Sequence, residues 1–432
     1  MKTQYNILLM LVLVVFITSC HNKPKTIANT LDYNSYFNTE GESEALKKAM
    51  NNYEFWKKDL DKNPTQYPFI AKIAASQSQL FSVTGNIDYL IKAEQNLIRV
   101  NEITKYNNAG YLRALARNYI SQHKFKNALA LLKKAEINGE NLKGTQKMLF
   151  DVNLELGNVA EAKKNLDAIK NLRDFDYLIR LSKWSDHQGN LDAAIKYMEQ
   201  AKAIAESSKV KGLIQWTYTN IADFYGHAGE IEKSYNHYLK ALELNPDDAY
   251  AKKGIAWIVY SYENNPEEAL RILNEISKTH SSPDYHLLKA EIAQHIGDNK
   301  AKEAYTNAYM ALTKNENYGD MYNAYNVELL AEDLSTIDKA FLLAKKEVDN
   351  RPTAQSYDLL AWTYYKKGDV KKALEIMQDH VVGHTFEPAV MCHLAEIYKA
   401  NGQVSKAEEI KKDLLKSTFE LGPVKTKEVL SI

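Results

Sequence analysis

Between residues 70 and 417, apolar positions recur at three- and four-residue intervals, the period of a helix that buries one face. The pattern is interrupted by a glycine followed by a polar residue: Gly157-Asn158, Gly189-Asn190, Gly229-Glu230, Gly368-Asp369 and Gly402-Gln403. Glycine ends a helix at low cost because it enters the left-handed region without a Cβ clash. The pattern therefore predicts helix pairs joined by short turns, repeated along the chain.

The repeat has a fixed frame. A small residue stands five places after several of these turns. Its equivalents are Ala93, Ala128, Ala162, Ala194, Ser234, Ala269, Ala304, Ala340, Ala373 and Ala407, in steps of 35, 34, 32, 40, 35, 35, 36, 33 and 34 residues. Upstream of the turns come an apolar residue, a small one and often a tyrosine: Leu115-Ala116 with Tyr119, Ile221-Ala222 with Tyr225, Leu360-Ala361 with Tyr364, Leu394-Ala395 with Tyr398. Small side chains at matched places let two helices approach to about 8–10 Å between axes. A single pair cannot bury its apolar face, so the stack is the stable object. The stretch YGHAGEIEKSYNHYLKALELNP, Tyr225 to Pro246, has the histidines and carboxylates of a metal or catalytic site. It falls into this frame as one turn and one second helix.

On these residues the chain resembles a tetratricopeptide repeat array from about residue 70 to 417. The resemblance implies an all-α, right-handed superhelical solenoid of about ten helix-turn-helix repeats, with the first helix of each unit lining a concave groove. The expected organisation is a capping helix or half-repeat at 44–69, a first sub-array at 70–205, a second at 206–421 and a short tail at 422–432, the helix stopping at Leu421-Gly422-Pro423. The 40-residue step carries AESSKVKGLIQ, where a lengthened helix or loop is expected, and whether the array bends there between two sub-arrays stays open. The unit around GDNKAKEAYTNAY is expected to have an extended turn, and YNVELLAEDLSTIDKAFLLAKKEV lacks the turn glycine.

The first twenty residues follow a different pattern. Lys2 precedes an unbroken apolar run of 11 residues, Ile7 to Ile17. That is too short for a span of about 20 residues and suits a signal-peptide core. Ile17-Thr18-Ser19-Cys20 resembles a bacterial lipobox, which implies a signal peptide at 1–19 and acylation of Cys20. The alternatives are a plain secretory signal or a short membrane anchor. Residues 20–43 are then the lipidated cysteine and a polar, flexible tether. His21 after the cysteine, in place of Asp, favours an outer-membrane lipoprotein. The basic HNKPK favours its periplasmic over its surface-exposed side.

Composition narrows the function classes. Lys+Arg and Asp+Glu are equal at 55 each, so no global field draws nucleic acid or an anionic membrane. Only 17 Gly and 9 Pro leave little room for the turns of an all-β fold. Beyond Cys20 the sole cysteine is Cys392, which has no internal disulfide partner and reads as a buried thiol. The 28 tyrosines read as packing between units ahead of sugar stacking.

No GxSxG elbow, phosphate loop, HExxH or EF-hand loop is present, so no catalytic residue, metal or cofactor is expected. His187, His227 and His295 each precede a turn glycine by two residues. They serve the helix dipole or contact a ligand in the groove. Metal ligation is disfavoured because equivalent residues on successive units sit on the order of 10 Å apart. His237, on a second helix, is expected at the surface. The groove candidates are Arg113, Arg117, Lys183, His187, Trp216, Thr219, Asp223, His227, Glu291, His295, Trp362 and Tyr365. The expected role is a membrane-anchored scaffold in the cell envelope that binds a protein or peptide in its concave groove. The alternatives are a glycan- or solute-binding outer-membrane lipoprotein and, behind it, an enzyme with an unrecognised site.

Overall fold

The computed structural model describes residues 26–37 and 43–432, and every regular element among them is helical. A single turn, α1 (Thr30–Tyr33), and a helix, α2 (Glu44–Lys62), precede ten helix pairs. They are α3 (Tyr67–Thr84) with α4 (Ile87–Ile103), α5 (Ala109–Ser121) with α6 (Phe125–Asn138), and α7 (Leu142–Glu155) with α8 (Val159–Ala168). Next come α9 (Phe175–His187) with α10 (Leu191–Ser208), α11 (Lys211–His227) with α12 (Ile231–Leu244), and α13 (Ala249–Trp257) with α14 (Pro266–Ile276). The last four are α15 (Pro283–His295) with α16 (Asn299–Thr313), α17 (Asn323–Ala331) with α18 (Ile337–Asn350), α19 (Ala354–Lys366) with α20 (Val370–His380), and α21 (Pro388–Ala400) with α22 (Val404–Leu414). A final helix, α23 (Thr418–Ser431), closes the chain. The helices form a solenoid in which the pairs stack in chain order, α16 meeting α17 through side chains such as Tyr309, which donates to Asn326 Oδ1 at 2.9 Å, and α2 caps it by lying on α3.

The turns are built as the sequence requires. Gly189 and Gly229 take φ of 72° and 74°, and the next residue is the N-cap of the second helix. Asn190 Oδ1 accepts from Ala193 N at 3.0 Å, one of the free amides at a helix start. The small residues of the frame are fully buried where helices touch: Ala128, Ala162, Ala194, Ala269, Ala340 and Ala373. Ala304 is the exception and is exposed. Asp298 caps α16, so its place in the frame belongs to Lys302, four residues on, and the count of alanines slipped by two there. That unit's turn is not extended either, since Gly297 (φ 78°) and Asp298 repeat the usual geometry.

Two other expectations change, while at the 40-residue step the helices are lengthened as expected. The 40-residue step is taken up by long helices, α10 of 18 residues and α11 of 17, hinged at Lys209 in the left-handed region (φ 57°). One core cluster joins Leu178, Met198 and Ala201 to Ile221 and Tyr225 across this point, so the apolar core continues through it. Residues 26–37, expected within a flexible tether, are fastened to the body. Glu263 accepts from the amides of Ile27 and Ala28 at 2.6 Å each, and buried Tyr33 donates to Glu268 at 2.9 Å. The expected tail at 422–432 is helical: the backbone kinks at Gly422 (φ 73°) and α23 continues past Pro423. Cys20 and the leader lie outside the described residues.

The solenoid winds tightly enough to meet itself. Ser281 N donates to Thr84 O at 2.8 Å, and Lys126 Nζ to Asp349 O at 2.5 Å. Gly157 lies against Pro352, Gly189 against Phe386 and Gly226 against Phe419, pairs 193 to 197 residues apart. The turn of one pair therefore touches the start of the pair six units later. A glycine at each of these places removes the side chain that would hold the two turns of the superhelix apart.

Candidate functional site

First helices of successive pairs line the inner face, and their polar residues mostly tie one helix to the next. Arg180 Nη2 meets Asp151 Oδ2 at 2.6 Å, Lys147 Nζ meets Asp176 Oδ2 at 2.8 Å, and Lys183 Nζ meets Glu155 Oε1 at 2.8 Å. Asp223 accepts from Tyr238 at 2.5 Å and Tyr250 at 2.7 Å. His393 Nδ1 lies 3.0 Å from Asp358 Oδ2, both side chains buried.

The expected groove residues thus separate into groups. Arg113 donates to Glu140 O (2.8 Å) and Thr145 Oγ1 (3.1 Å), and Asp223 holds the two tyrosines, so both are inter-unit ties. Thr219 and Trp362 are buried and cannot face a ligand. Trp362 stacks on His393 at 3.9 Å and on Tyr365 at 5.0 Å, because a tryptophan in that register faces the next first helix. Arg117 and His227 are exposed, and Trp216 keeps 40% of its surface with its ring edge-on to Phe175. His295 Nε2 lies 2.7 Å from Asn264 Oδ1. Glu291 accepts from Tyr260 at 3.2 Å, and burial pushes its carboxyl up to about 7. His237, expected at the surface, is buried between Tyr218 and Tyr225, with Nδ1 2.8 Å from Lys233 O.

Lys183 and His187 open into a cleft of about 760 Å³ at the seam between superhelical turns. Its near wall is the ends of α7 and α9, with Glu155, Lys183, Asp186 and His187. Its far wall is the start of α19 and the loop after α20, with Arg351, Tyr357, His380, His384, Phe386 and Glu387. Burial pulls the Lys183 ammonium down, but Glu155 and Asp151 outweigh it and leave it raised. Burial lowers His187, against the pull of Asp186 beside it. Burial raises Glu387, and Asp186 beside it adds to the rise. The tyrosine-histidine pair Tyr357 and His380 stacks at 3.8 Å, and Phe386 is 60% exposed. The far wall was missed in the sequence, since only the six-unit pitch brings it to Lys183. Among the described residues no group of three His, Cys, Asp or Glu is placed to hold a metal ion. Cys392 is buried, and its thiol is pushed up to about 12, chiefly by burial.

A family profile described as a tetratricopeptide repeat matches residues 217–248, which run from α11 to the start of α13. The chain contains tetratricopeptide repeats. No curated protein matches it. Among solved structures, the human IFIT1 dimer with m7Gppp-AAAA is 14% identical, with 78% of this chain and 76% of that one covered and a TM-score of 0.47. A tetratricopeptide repeat protein from Parabacteroides merdae is 14% identical over 57% of this chain and 92% of that one, at a TM-score of 0.38. PilF of Pseudomonas aeruginosa is 14% identical over 49% and 96%, at 0.36.

Proposed function

We propose that this tetratricopeptide-repeat protein is an interaction scaffold of the bacterial cell envelope, held to the outer membrane by an acylated Cys20 and facing the periplasm. It takes a segment of a partner protein at the seam cleft. The observation that supports this most is the cleft itself, where Lys183, His187, His384 and an exposed Phe386 converge from units far apart in sequence. The lipobox-like Ile17-Thr18-Ser19-Cys20 supports the anchor. Among the described residues no helix is long and apolar enough to cross a membrane. Acyl chains contribute roughly 0.8 kcal/mol per buried methylene, so two or more give stable attachment without a spanning helix.

The test is crosslinked affinity capture from native membranes, with wild type beside Cys20→Ala and a His384→Ala/Phe386→Ala double variant. Recovery of the same partner in stoichiometric amounts, lost in both variants, is the expected result. Capture that ignores the double variant removes the cleft from the reading. Absence of any protein partner turns the reading to glycans and small solutes.

A further inference from the structure

The turns of the last four pairs form an open rim. Turns of the earlier pairs lie under the second turn of the superhelix, as Gly157 lies against Pro352 and Gly189 against Phe386. A Cβ at Gly297, Gly368 or Gly402 would instead meet no atom within 4 Å among the described residues. Three apolar side chains stand at these later turns: Ile296, Leu334 and Val404 are exposed, Leu334 by 77%.

Neighbouring turns are tied along this rim. His295 Nε2 lies 2.7 Å from Asn264 Oδ1 in the turn before it, Lys367 Nζ reaches Asp338, and Asn401 Nδ2 donates to Val370 O at 2.8 Å. The rim's aspartates Asp298, Asp333 and Asp369 accept amides of their own turns, from Ala301 at 2.9 Å, Ser335 at 2.8 Å and Lys372 at 3.1 Å. Lys300, Lys339, Lys371 and Lys406 are exposed near the apolar three. An aliphatic row edged with lysines suits the headgroup layer of a bilayer, where methylene stems lie in apolar matter and ammonium groups reach phosphate.

Apolarity alone does not choose this rim, because the opposite one exposes Ile103, Ile137 and Leu172. The N-terminal strap chooses it. The amides of Ile27 and Ala28 donate to Glu263, next to Asn264, so the strap enters at the open rim and runs away from it towards Tyr33 and Asn34. Seven residues separate Ile27 from Cys20, with Lys23 and Lys25 on the way. At about 3.5 Å per residue that path reaches roughly 25 Å. Two helices of 13 residues stacked end to end, as α9 and α21 are at the seam, span about 40 Å. An anchor at Cys20 therefore brings the open rim to the bilayer and is too short to bring the opposite one.

We propose that the rim carrying Ile296, Leu334 and Val404 is a membrane-contact surface, seated in the headgroups of the phospholipid layer that holds Cys20. This rests on the acylated anchor of the scaffold reading and gives it an orientation. The solenoid stands on its last pairs, and the seam cleft opens about 20 Å from the lipid, one helix length away.

Single-cysteine labelling of the full acylated chain tests this, since Cys392 is buried. Ile296→Cys, Leu334→Cys and Val404→Cys carry a fluorescent dye in vesicles of phosphatidylethanolamine and phosphatidylglycerol. Ile137→Cys on the opposite rim and Leu342→Cys on the outer helix α18 are the controls. Spin-labelled lipid should quench the three rim dyes at least threefold more than the two controls. Equal quenching at all five positions overturns the proposal, and so does stronger quenching at Ile137→Cys or at Leu342→Cys, the mark of an inverted or side-on molecule. Rim dyes shielded from water but untouched by spin-labelled lipid assign the rim to a second copy and overturn it as well. The mass of the N-terminal peptide reads the anchor separately. An unacylated Cys20 overturns the anchor and the rim together, whereas unquenched rim dyes on an acylated chain overturn the rim alone.

Discussion

Arg351 places Nη1 3.3 Å from Oε2 of Glu155, a residue 196 positions earlier in the chain. Its Nε also lies 3.0 Å from Oε1 of the buried Glu347, and its guanidinium covers the Phe125 ring at 5.4 Å. One side chain thus joins two turns of the superhelix. Arg351→Ala leaves Glu347 buried with Asn323 as its remaining side-chain partner. The expected loss is about 2–4 kcal/mol in urea unfolding, with Arg351→Lys recovering only part of it.

Gly85 and Gly229 both have positive φ, 67° and 74°, but only Gly85 faces another backbone, at Ser281. Gly229→Ala carries the left-handed strain alone, roughly 1–2 kcal/mol. Gly85→Ala adds a clash with the second turn and should cost clearly more. It should also enlarge the radius of gyration in small-angle scattering, which Gly229→Ala leaves unchanged.

How far the sequence carried the fold follows from what each residue reports. Gly189-Asn190 and Ala194 describe one pair and its partner, local facts that spacing records, and there the helices fall where expected. Ala304 misled because alanine is common in any helix, while the cap at Asp298 sets the true register. The meeting of Lys183 with the His384 loop depends on the pitch, the sum of small rotations over six pairs, which no single spacing encodes. Trp362 and Thr219 were placed on the right helices but on the wrong side of them. Ile27 and Tyr33 lie in a polar stretch without a period, so a two-anchor strap resembled a tether.

Asp358 and His393 form a buried pair. Asp358→Ala strands the imidazole and should cost about 3–5 kcal/mol, whereas Asp358→Asn keeps a hydrogen-bond partner and should cost less. Chemical denaturation of the two variants side by side measures the difference.

Glu291 makes stability depend on pH. Its ordinary value is 4.5 and burial raises it to about 7 in the fold. Between these values the folded chain holds a proton that the unfolded chain has released. This contribution is therefore complete below the unfolded value and is lost as pH rises through the folded one, at most about 3 kcal/mol at 1.36 kcal/mol per unit. Glu291→Gln should match wild type near pH 4.5 and exceed it near pH 7.5, as thermal melts across that range will register.

Tyr33 is buried at 1% exposure and is the apolar peg of the strap at residues 26–37. Tyr33→Ala should release the strap without unfolding the pairs. Limited proteolysis would then cut within residues 26–37, where wild type resists, and leave the rest of the chain intact.

That strap grips α12, α14 and the turn before α14, through Tyr235, Glu263, Glu268 and Arg271. At the other terminus, α23 grips α11 and the π-helical turn Ile258–Tyr262 of the same pairs, and α15 of the next pair. Tension applied at residue 26 consequently enters the solenoid at its middle and not at the first pairs, α3 to α8. Pulled from its N-terminus, the molecule takes the load at its centre, while the seam contacts of Thr84 with Ser281 and of Glu155 with Arg351 brace its two ends against each other.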